Sequence, residues 1–208
     1  MEADWVAEVG PELPSIDIPW EGFVDLRREA ARVVDLDEAV AHPALRDALV
    51  AMNTGTSGLL TSKCDVWTLT RVEIDPDEFG AAAGTAGEGV CSYIDVLRLD
   101  PARLEPGQFA PAQLTSIAFD SFPFHERWAR DITAHLQTIT LANGRVDLVI
   151  RPANIESRTG YGMTIYTTGC GPDAAAAYLS WENVLRAAVA ATINLVFPPP
   201  SRASSSIG

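Results

Sequence analysis

Residues 145–168, RVDLVIRPANIESRTGYGMTIYTT, decide the fold class. Val146, Leu148 and Ile150 alternate with other residues across 145–151, the period of a strand with one buried face. Residues 161–168 are rich in aromatic and β-branched side chains. They read as the hairpin partner, across a loop of about nine residues that exceeds the common hairpin turns. A helix precedes this pair. Phe124, Trp128, Ile132, Leu136 and Ile139 recur at steps of four and three, with Ser121 and Pro123 as a start and Asn143-Gly144 as a stop. Another helix follows, over residues 172–196, with Trp181, Leu185, Ala188, Thr192 and Val196 on its inner side.

Farther upstream a second strand pair is predicted over residues 64–70 (CDVWTLT) and 90–99 (VCSYIDVLRL). The small residues 80–89, GAAAGTAGEG, predict a mobile loop between them. Residues 21–34 carry helical spacing, and residues 43–52 predict a second helix with Pro43 in its first turn. Residues 1–20, with Pro11, Pro14 and Pro19, read as an extended lead-in that Ile16, Ile18 and Trp20 pin to the domain. Residues 101–120 contain three prolines and read as irregular, and the composition of residues 198–208 predicts disorder. The expected organisation is an extended segment 1–21, a single α+β domain 22–197 and a disordered tail 198–208.

The order αα-ββ-α-ββ-α leaves too few helices between strands to force parallel crossovers. It predicts an antiparallel sheet of about four strands in two pairs, with helices packed mainly on one face. In element order, over residues 22–196, the chain resembles the type III secretion-chaperone-like fold. That resemblance implies a small acidic dimer.

Fifteen basic residues stand against twenty-eight acidic ones, a net charge of −13. Such a field repels phosphate backbones and anionic lipid, so neither nucleic acid nor a membrane surface is expected as a partner. Residues 1–50 hold twelve acids and four arginines, whereas residues 121–208 hold six acids and seven arginines. The N-terminal half is thus a candidate acidic face for basic partners or cations, set against ordinary solubility. Lys63 is the single lysine, a bias that a GC-rich bacterial genome produces. Three scattered cysteines make no disulfide framework or zinc spacing. No basic, apolar leader opens the sequence, and the apolar run 187–197 is too short to span a bilayer. A cytoplasmic location is the expectation.

Phosphate-binding glycine loops, GxSxG, HExxH and EF-hand patterns are absent from the sequence. Weaker constellations remain. Cys170, between Gly169 and Gly171 at a strand-to-helix junction, would lie near helix N-terminal amides that favour a thiolate; the same glycines also suit a tight turn. His125 and His135 fall on the apolar side of one helix, about 15 Å apart along its axis, too far to share a metal ion. Lys63 and Asp65 would share a strand face while Cys64 points away. Glu73, Asp75, Asp77 and Glu78 form an acidic stretch stiffened by Pro76, without the spacing of a calcium loop. Trp67, Tyr93 and Tyr166 lie on three predicted strands. They form either an apolar surface for dimerisation or ligand binding, or a core under the helices.

No catalytic residue is assigned, and no cofactor or metal is expected. The function expected is a non-catalytic binding or adaptor module acting as a dimer, through self-association or with a protein partner. The alternatives are a small-molecule enzyme with a site near Cys170 and one histidine, and a structural component of a larger assembly.

Overall fold

A computed structural model describes residues 1–82, 85–99, 121–155 and 158–196. The readings made for residues 101–120 and for the tail 198–208 lie outside these, as do residues 83 and 84 of the glycine-alanine loop. The elements, in chain order, are β1 (Glu2–Ala7), β2 (Ile16–Ile18), α1 (Asp37–Ala41), α2 (Pro43–Met52), β3 (Leu59–Thr70), β4 (Glu88–Arg98), α3 (Phe122–Gln137), β5 (Gly144–Ile155), β6 (Arg158–Gly171) and α4 (Ala174–Leu195). Short 3-10 turns occupy Ala30–Asp35, Arg71–Glu73 and Pro76–Phe79.

The class is α+β, but among the described residues the sheet is mixed and has six strands, not four antiparallel ones. Its order is β1-β5-β6-β4-β3, and β2 also pairs with β5. β1 and β2 both run parallel to β5 along one edge, while the β3/β4, β4/β6 and β5/β6 pairs are antiparallel. The proline-rich lead-in therefore supplies two strands. Its prolines fall outside both, and Ile16 and Ile18 are buried as the pinning residues. The β5/β6 hairpin is also tighter than the sequence indicates, paired out to Ile155 and Arg158. Pro152 falls between the stretch of β5 that β1 covers and the stretch that β2 covers, a place where a strand tolerates a missing N–H.

Residues 21–34 do not form the expected α-helix. Their apolar side chains serve two sides of the sheet: Phe23 packs with Ile16 and Ile18, whereas Leu26 and Val33 join the core beneath the helices. A segment that rounds the β3 edge cannot run along one side as a helix. α2 begins at Pro43 and ends at Met52, as its sequence predicts.

All four helices bury their apolar residues in one cluster with one sheet face. That face presents Val146, Leu148 and Ile150 of β5, Met163 and Ile165 of β6, and Val90, Ile94 and Val96 of β4. α4 lies on β6 with almost no gap, because Gly169 and Gly171 face it. A methyl group on Gly169 would stand 2.0 Å from the Trp181 backbone nitrogen. Strand alternation then sends Tyr166, Thr168 and Cys170 to the opposite face.

Candidate functional site

The opposite face carries two small clusters, one toward each end, and neither includes a residue of the four helices. At one end Ile16, Ile18 and Phe23 cover Leu60, Leu97, Ala153 and Ile155. At the other, the β3–β4 connection folds back so that Ile74, Phe79 and Ala86 cover Cys170 and Leu69. Between these ends lies a trough. Strand register lays one row of side chains across five strands in it: Asp4, Asp147, Tyr166, Tyr93 and Asp65. Trp67 stands beside the row, its ring 6.4 Å from that of Tyr93, which lies 5.9 Å from that of Tyr166. Trp67 is 37% exposed. The three aromatics thus share the face without helices, not the core beneath them.

The trough's charges come from both halves of the chain. Arg151 pairs with Glu8 at 2.9 Å and lies over the Tyr166 ring at 5.7 Å, and Arg145 pairs with Asp147 at 2.7 Å. Asp95 is 5% exposed and accepts a hydrogen bond from the Thr164 hydroxyl at 2.6 Å. Burial raises its carboxyl above the usual range, against the Thr164 hydrogen bond and the charges of Arg151 and Lys63. The folded chain holds a proton on Asp95 more readily than the unfolded chain does. The group is therefore neutral in its effect at low pH and works against folding once pH has risen through its folded value. Asp95→Asn is expected to raise Tm by a few degrees near neutral pH and to change it little in acid. Thermal unfolding at the two pH values reads this directly, and a lower Tm at neutral pH would contradict it.

β3 is an edge strand among the described residues, and a register shift between Thr61 and Cys64 breaks its alternation. This bulge places Ser62 and Lys63 outside the period that the sequence implies. A cavity of about 280 Å³ lies between the bulge and the passing segment, lined by Trp20, Glu38, Ser62, Lys63, Cys64 and Tyr93 among others. Lys63 lies over the Trp20 ring at 5.7 Å. Burial, then the charges of Glu38, Asp65 and Asp95, pushes the Cys64 thiol up to about 12. Burial, then Asp95 and Asp65, pushes the Tyr93 phenol up to about 12. Asp65 acts on both Cys64 and Tyr93, whereas Lys63, displaced by the bulge, acts on Asp95.

The other candidates are not brought together. Cys170 is 1% exposed, its thiol lies 3.5 Å from the Asn143 carbonyl oxygen, and burial raises its pKa. It points away from α4, whose first turn is capped instead by Asp173 accepting from the Ala176 amide. The flanking glycines serve the helix, not a ligand. His125 is fully buried among Phe124, Trp128 and Tyr161, whereas His135 is exposed. The buried stripe of α3 centres on His125, Ala129, Ile132 and Leu136, which leaves His135 at its margin near the C-terminal end. Glu73 bonds the Thr70 amide and hydroxyl, and Asp75 bonds the Asp77 amide, so these carboxylates cap turns. Among the described residues no group of three or more histidine, cysteine or acidic side chains is placed to hold a metal ion. No helix among them is long and apolar enough to cross a membrane.

No protein-family model, curated protein or solved structure matches this chain.

The resemblance to the secretion-chaperone-like fold accordingly rests on element order alone. The sequence gives no site role to Asp95 or Arg151, and it names Trp20 as a pinning residue, whereas the structure leaves Trp20 37% exposed at the cavity. The polar position of Asp95 inside the apolar run VCSYIDVLRL is the signal that marks it.

Proposed function

We propose that the chain is a non-catalytic binding module that holds another protein chain against the helix-free face of its sheet. The observation that carries this is the aromatic row. Three large rings are placed side by side on a face where, among the described residues, no helix covers them. Trp67 is exposed and Tyr93 and Tyr166 are half-buried beside it; tyrosine and tryptophan are the side chains that dominate contacts with a covering partner. The two closed ends and the rigid sheet hold the trough in shape before a partner arrives, which limits the entropy lost on binding.

The reading is tested by native mass spectrometry of the purified protein beside its Trp67→Ser variant. The wild type is expected to carry a second polypeptide, either another copy or a co-purifying chain, and the variant to lose most of it. Trp67 is 37% exposed and its ring lies beside Tyr93, so the substitution should cost about 1 kcal/mol through the lost cross-strand pair and leave the protein folded. Retention of the same complex by a folded Trp67→Ser variant would overturn the assignment of this face.

A further inference from the structure

A regular strand sends successive side chains to opposite faces. In β3 the register shift between Thr61 and Cys64 breaks that rule, and Ser62, Lys63 and Cys64 line one cavity in succession. A bulge re-aims side chains in this way, and bulges are over-represented next to active sites. The facing wall comes from the segment that rounds the β3 edge and from α1 and α2, through Trp20, Val24, Leu36, Glu38 and Leu49.

Three polar groups on this cavity lack a hydrogen-bond or ion-pair partner among the described residues. The Ser62 hydroxyl oxygen is buried and makes no hydrogen bond, a state that buried polar atoms seldom keep. Thr61, on the same wall, is by contrast satisfied by Asn53. The Lys63 ammonium lies over the Trp20 ring and in the field of Asp95, but makes neither an ion pair nor a hydrogen bond. The Glu38 carboxylate likewise makes neither. Lys63 and Glu38 thus bring opposite charges to one cavity without pairing with each other. Both are half-buried, where water screens a charge less than on the open surface.

We infer that this cavity binds a small zwitterion, a free α-amino acid with an apolar side chain, whose carboxylate is held by Lys63 and the Ser62 hydroxyl and whose ammonium is held by Glu38. Charge selects the class. A simple anion would meet Lys63 but be repelled by Glu38 and Asp65, and a simple cation would meet the carboxylates but be repelled by Lys63. A ligand of both signs satisfies both ends and gives the Ser62 hydroxyl an acceptor. Val24, Leu36 and Leu49 offer its side chain an apolar wall, and Trp20 adds an aromatic surface. At about 280 Å³ the cavity falls below the roughly 300–1,000 Å³ of sites for drug-sized ligands, which limits the occupant to a small molecule. This pocket is a second site, independent of whatever chain covers the aromatic row.

Free leucine, titrated into the full chain, is expected to shift the Trp20 indole NMR signal saturably, that signal being assigned by its loss in Trp20→Phe. Two truncated analogues isolate the charges: isocaproate lacks the ammonium, and isoamylamine lacks the carboxylate. Each should bind about tenfold more weakly than leucine, or worse. Lys63→Met keeps the side-chain stem beside Trp20 and should weaken leucine by about tenfold without weakening isoamylamine. Glu38→Gln should weaken leucine by a similar factor without weakening isocaproate. The indole signals of the buried Trp128 and Trp181, retained in each variant, report an intact fold. Absence of a saturable shift with leucine, equal binding of leucine and both analogues, or unchanged leucine affinity in both variants would overturn the site.

Discussion

Trp181→Ala is expected to cost about 3–5 kcal/mol and to leave the protein unfolded or barely folded at ambient temperature. The ring is 0% exposed in the middle of the helix–sheet core. Its indole is also tied into a polar chain across strands. Its Nε1 donates to the Ser92 hydroxyl at 2.9 Å, and the Ser92 and Thr167 hydroxyls lie 2.7 Å apart. Truncation would open a cavity and strand two buried hydroxyls together. The contrast with Trp67 is the informative part. Both are tryptophans on apolar patterns, yet denaturant unfolding should separate them by several kcal/mol. Near-equal losses at the two positions would mean that Trp67 is a core residue and that the helix-free face is covered.

Gly169→Ala should be nearly as damaging, despite adding one methyl group. The new carbon would lie 2.0 Å from the Trp181 nitrogen and 2.4 Å from its Cα. These are backbone atoms of a 22-residue helix, so no side-chain rotation relieves the clash. Overpacking of a well-packed core costs about 1–3 kcal/mol, and a clash with helix backbone should reach or exceed the upper end. Thr159→Ala, on an exposed position of the same strand, is the control and should stay within about 0.5 kcal/mol. A Gly169→Ala variant as stable as the control would show that α4 does not rest on β6 as described.

The elements with strong periodicity were legible. α2 starts and stops where Pro43 and the following TGTSG place it, and the inner face of α4 carries the residues its spacing marks. The N-terminal strands were not legible, because β1 and β2 are parallel partners of a strand more than a hundred residues away. Short edge strands take their stability from that pairing, not from local pattern. The reading of 21–34 as a helix failed for a related reason: its apolar residues are shared between two faces, which a single helical projection merges. At the site, the aromatics could be named but not placed. Alternation shows that Trp67, Tyr93 and Tyr166 occupy fixed strand parities, and only the strand order shows which face those parities meet. Gly169 and Gly171 carried a packing signal that resembles a ligand signal, since both require a residue without Cβ.

Site-specific photo-crosslinking in the producing cell tests the choice of face most directly. A photoreactive phenylalanine derivative would replace Trp67 in one variant and Leu179 in another, Leu179 being a 59% exposed side chain on α4. The expected result is a discrete crosslinked species from position 67 and none from position 179. Crosslinks from position 179 alone would place the partner on the helical layer and contradict the account.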